Sequence, residues 1–141
     1  MKNFCFSNTS FILGFFLLPL LGTSFAHAQS INCKISDSFS VSASYSETTQ
    51  SIHVIKTENG ETADFKGISF EQFDKVHLNK NASILKLAQD AGLDISLANS
   101  ASFFVLQKSD TSVTELVEFV NVDGESLGVA AMIGPKTQKC L

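Results

Sequence analysis

An α+β fold is expected of this chain: an antiparallel sheet of about six strands in the order β-β-β-α-α-β-β-β, twisted or split into two layers, with a short helical hairpin on one face. Three features carry that expectation. Asn59-Gly60 and Asp123-Gly124 are two-residue hairpin signals, each set between apolar or alternating runs. Residues 38–46 alternate polar and apolar almost without exception. From Ser69 to Gly92 the apolar spacing changes to the helical period.

Residues 1–28 are read as a cleaved secretory signal peptide. Lys2 supplies a minimal positive start, Phe11 to Leu21 (FILGFFLLPLL) an apolar stretch, and Ala26-His27-Ala28 a small-x-small cleavage site before Gln29. The apolar stretch is short of the roughly 20 residues a membrane span needs, and Pro19 interrupts it. No cysteine stands at the cut. A secreted or periplasmic protein with no stable membrane anchor after cleavage is therefore expected.

The remainder, 29–141, is expected to be one globular domain. It holds fourteen Asp or Glu against nine Lys, a net charge of about −5 at neutral pH. The chain contains no Arg and no Trp. An acidic surface without Arg argues against nucleic acid as a partner. Cys5 leaves with the leader, so Cys33 and Cys140 form an even pair, which in an exported protein reads as a disulfide joining the two ends. Closing a loop of about 107 residues is worth on the order of 4–5 kcal/mol in the chain-entropy model.

Gln29 to Asp37 reads as a lead-in held by Cys33. In 38–46, Phe39, Val41, Ala43 and Tyr45 share one face and serines the other, a half-buried strand. Ser51 to Glu58 and Glu61 to Gly67 form a hairpin about Asn59-Gly60, with Val54 opposite Phe65 and Lys56 opposite Ala63. Ser69-Phe70-Glu71-Gln72 has the form of a capping box, so a helix is expected from Phe70 to about Leu78. Asn81 is a good N-cap for a second helix, Ala82 to Ala91, ended by Gly92. Leu93 to Ser100 is read as loop and Ser102 to Lys108 as a strand, with a turn at Ser109 to Ser112. The last hairpin pairs Thr114–Val122 with Glu125–Ile133 about a type I′ turn, and Gly134-Pro135 stops the final strand.

No catalytic residue, metal site or cofactor is expected. His53 and His77 lie on different elements without ligand spacing. Asn121 to Glu125 holds only part of a calcium-loop pattern, and the hairpin accounts for it. Asp90 and Asp94 are separated by the helix-ending Gly92, so they need not share a face. Ser69 lacks the second glycine of a nucleophile elbow. Asn81-Ala82-Ser83 is a glycosylation sequon, better explained as a helix cap.

Both faces of the last hairpin are largely apolar. Leu116, Val120 and Val129 share one face, which Glu118 interrupts; Val117, Phe119, Ala130 and Met132 share the other. A carboxylate among apolar neighbours is costly unless it is paired or reaches water. Val117, Glu118, Phe119 and Met132 are thus the candidate interaction or pocket residues. The helical pair can cover one face, and the other is left for a second sheet or a partner. The expected function is that of a small exported, non-catalytic binding or accessory protein with an unknown protein partner. The alternative is a carrier of a small apolar ligand held between sheet and helices, lined by Phe65, Phe70, Phe73 and Phe103.

Overall fold

The computed structural model describes residues 29–106 and 113–141. Residues 1–28, read as a leader, the end of the strand expected to reach Lys108 and the turn expected at Ser109 to Ser112 lie outside those residues. The described chain runs β1 (Gln29–Ser36), β2 (Phe39–Ser46), β3 (Ser51–Glu58), β4 (Glu61–Lys66), β5 (Ser69–Asp74), α1 (Lys75–Leu78), α2 (Ala82–Asp90), β6 (Ser100–Val105), β7 (Val113–Val120), β8 (Ser126–Ile133) and β9 (Lys136–Lys139). The strands form two antiparallel meanders, β1-β2-β3-β4 and β5-β6-β7-β8-β9. The fold is thus mostly antiparallel sheet with two short helices, and nine strands in two sheets replace the expected six.

Three of the differences have local causes. Gln29 to Ser36 is a strand, because Ile31, Cys33 and Ile35 alternate with polar residues and the first two face the core. Ser69 to Asp74 is also a strand and not helical. A separation of three puts Phe70 and Phe73 on one side of a helix but on opposite sides of a strand. Here both sides are apolar: Phe70 packs between the sheets and Phe73 toward the helices. The helix cap belongs to Asp74 instead, whose carboxylate accepts from the His77 N–H at 2.9 Å. Finally, Gly134-Pro135 turns the chain rather than ending it. Gly134 at φ +54 precedes a residue fixed near φ −65°, the sign order of a type II′ turn, and Ile133 pairs with Lys136 across it.

Asn59 and Gly60 both have positive φ, 52° and 84°, as a type I′ turn requires. Val54 faces Phe65 and Lys56 faces Ala63, the register expected from that turn. The Asp123-Gly124 turn differs, since only Gly124 has positive φ. The Gly124 N–H bonds the Asn121 carbonyl at 3.1 Å, and Asn121 pairs with Glu125. This is a type I turn closed by a glycine bulge. Val117–Ala130, Glu118–Val129 and Phe119–Gly128 keep the expected pairing, whereas Val120 shifts to Ser126.

The two sheets are joined at a corner. The Gly67 N–H bonds the Ile52 carbonyl in the first sheet, and the Ile68 N–H bonds the Val105 carbonyl in the second. A single chain path therefore changes sheets within one residue, and Gly67 lies so close to the Ile52 side chain that a Cβ there would collide with it. At the other end the Cys140 N–H bonds Val129 and the Leu141 N–H bonds Lys34 on β1. The Cys33–Cys140 disulfide, with Cα atoms 5.1 Å apart, fixes that second junction.

Two cores result. Between the sheets lie Ile31, Val41, Val54, Phe104, Leu116 and Ala131. Tyr45 stacks on Phe70, and Phe70 meets Phe104 at a tilt, each pair at 4.6 Å between centroids, so the three rings span that layer. The second core lies between the five-stranded sheet and the helices, with Leu78, Ile84, Leu87 and Ala88 over Ala101, Val117, Phe119 and Ala130. β7 and β8 are therefore covered on both sides, as their two apolar faces require.

Candidate functional site

The outer face of the second sheet is built of rungs. Phe73, Ala101, Phe119 and Gly128 lie side by side on β5 to β8; Glu71, Phe103, Val117 and Ala130 form the next rung; Val105, Glu115 and Met132 form the one after. The helical layer seals the middle of this face, where Val117, Phe119 and Ala130 are buried. Asn81 sets the start of α2, its side-chain oxygen accepting from the Ile84 N–H at 3.1 Å. At the far end Leu93 rests on Gly128, where φ is +141° and a Cβ would come within 2.6 Å of Leu93 Cδ2.

Beside α2 the cover is incomplete. A cleft of about 560 Å³ opens there, with Phe73, Phe103 and Met132 among the sheet residues that line it. Ser83, Lys86, Leu87 and Asp90, a single stripe of α2 at helical spacing, form its wall. Three carboxylates and one ammonium reach it: Glu71, Glu115, Asp90 and Lys86. Lys86 Nζ is held by both oxygens of Asp90, at 2.8 and 3.0 Å. None of the ion pairs among the described residues involves Glu71 or Glu115. Burial pushes the Glu115 carboxyl above the ordinary glutamate range.

The candidate residues Val117, Glu118, Phe119 and Met132 do not come together. Val117 and Phe119 are buried beneath the helices, so they present no surface to a partner. Met132 is partly open and lines the cleft. Glu118 points the other way, toward the first sheet, in the rung of Ser102 and Val129. Its half-exposed position lies near the end of the sandwich, where Ser102 donates to Gln29 Oε1 at 2.9 Å. Of the four phenylalanines named for an apolar ligand, Phe73 and Phe103 line the cleft, while Phe65 and Phe70 pack in the core between the sheets.

On β7 the acid that reaches the cleft is Glu115, not Glu118. It has the strand parity of Val117 and Phe119, so it shares their face; that parity was the available signal. The wall residues Ser83, Lys86 and Asp90 could be found only once α2 was set against the sheet. His53 pairs with Asp64 on the outer face of the first sheet, and His77 with Asp74 at the start of α1. Among the described residues no three His, Cys, Asp or Glu side chains converge as a metal-binding group. No helix among them is long and apolar enough to cross a membrane. Comparison with protein-family models, with curated proteins and with solved structures finds no match.

Proposed function

We propose that this is an exported, non-catalytic binding protein that holds a small, largely apolar ligand in the cleft between the second sheet and α2. The observation that carries this reading is the contrast within one sheet face. Val117, Phe119 and Ala130 are sealed by helices, while Phe73, Phe103 and Met132, next to them, remain partly open around a cavity of ligand size. Phe73, Leu87, Phe103 and Met132 give this half-open cleft an apolar side on which a further molecule would gain contacts. Export is supported by the leader pattern and by the Cys33–Cys140 bridge, which an oxidising compartment maintains.

A thermal-shift screen of the oxidised protein against small apolar compounds tests the ligand reading. Compounds that raise the melting temperature of the parent are expected to lose that effect in Ser83→Trp, which fills the mouth from an exposed helix position. Stabilisation that persists in this variant would place the ligand elsewhere. N-terminal sequencing of the protein recovered from the exported fraction is expected to begin at Gln29.

A further inference from the structure

We infer that the cleft takes a small organic cation with an apolar body, an aryl- or alkylammonium, its head toward Glu115 and Glu71 and its body on Phe73, Phe103 and Met132. This rests on the reading of the cleft as a ligand site and adds the charge of the ligand.

Three observations converge. The first is the charge of the lining. Lys86 is engaged by both oxygens of Asp90, so that pair is neutral and the two glutamates set the sign of the cleft. A carboxylate or phosphate ligand meets negative charge there, and among the described lining residues the one ammonium, that of Lys86, is already engaged. The second is the position of Glu115. It stands on the sheet between Val105 and Met132, one rung from Phe103 and Val117. A neutral apolar ligand would cover this carboxylate and strip more water from it with no return. A cation removes the same water and supplies a counter-charge that no ion pair among the described residues gives Glu115, so the site discriminates between the two. The third is the remainder of the floor. Phe73 and Phe103 offer aromatic rings, and a cation is drawn to the face of such a ring. Met132 supplies a polarizable, adaptable contact for the apolar body.

Three probes of similar size and different charge separate these effects: phenethylammonium, 2-phenylethanol and phenylacetate. Met132 is one of only two methionines in the chain, so a 13C-methyl methionine label reports on the cleft floor, with Met132→Leu assigning the signal. Phenethylammonium is expected to bind about three- to tenfold more tightly than 2-phenylethanol, the range of a partly desolvated cation on aromatic and acidic groups. Phenylacetate should bind more weakly than either. Glu115→Gln should remove most of the preference for the cation, weakening phenethylammonium and tightening 2-phenylethanol, which no longer desolvates a carboxylate, and Glu71→Gln should reduce the preference in part. Glu118→Gln, on the opposite face, should leave the order intact. Equal or tighter binding of 2-phenylethanol to the parent protein overturns the charge assignment and leaves the cleft as a site for neutral ligands. A Met132 signal unmoved by all three probes overturns both readings.

Discussion

Glu115 and Gly128 have the clearest consequences at the scale of single residues. Burial raises the Glu115 carboxyl, so the folded chain keeps that proton to higher pH than the unfolded chain does. The Glu115 contribution therefore turns unfavourable as pH rises from the ordinary glutamate value through the raised one, and stays so above it. Glu115→Gln is expected to be more stable than the parent at neutral pH, by at most about 0.5 kcal/mol because water still reaches the side chain. The two proteins should converge under acidic conditions; urea midpoints at acidic and neutral pH check this. Asp74 and Asp94 have the opposite sign. Their carboxylates accept from the backbone N–H of His77 and of Ser96, which lowers both pKa values. The stability they add is present above the ordinary aspartate value and is lost as pH falls through the lowered ones. Both acids are common to parent and variant, so their effect cancels in the comparison. Gly128→Ala adds a Cβ at positive φ against Leu93. It should cost about 2–3 kcal/mol, read as a lower urea midpoint at unchanged slope.

Among the elements, α2 matters most, since it both seals the second core and forms the wall of the cleft. Its start depends on Asn81, which accepts the Ile84 N–H. Asn81→Ala should destabilise the protein by about 1 kcal/mol. Hydrogen exchange should accelerate first at the amides of 82–85, ahead of those in β7. The strands show where local pattern sufficed and where it did not. Alternation placed Phe39, Val41, Ala43 and Tyr45 correctly, because the first sheet has one wet face and one dry face. Helical spacing misled at Phe70 and Phe73, because the second sheet carries apolar residues on both sides and a spacing of three no longer excludes a strand. The strand Lys136–Lys139 (KTQK) carries no apolar signal at all. Its place comes from the turn at Gly134-Pro135 and from pairing with Ala130 to Ile133.

For the whole molecule, the Gly67 corner and the Cys33–Cys140 bridge join the two sheets through the chain itself. The bridge closes a sequence separation of 107 residues. Its loss in Cys33→Ser/Cys140→Ser should lower stability by about 2–5 kcal/mol. Chemical reduction of the parent should lower its denaturation midpoint to that of the double variant, and an unchanged midpoint on reduction would show that backbone pairing alone holds the end of the chain. The cysteine pair, the Asn59-Gly60 register, the Asn81 cap and the doubly apolar hairpin were all legible in the sequence, since each depends on residues close together or on simple counting. What covers each face of that hairpin was decided only by tertiary structure. The first sheet takes the Leu116 face and α2 the Phe119 face. The cleft arises in the same way: α2 is too short to cover the whole outer face, so it leaves Phe73, Phe103, Glu115 and Met132 at its margin. Periodicity states that a side chain seeks cover. Which surface supplies it depends on how layers of fixed size fit together, and that information is spread over the entire chain.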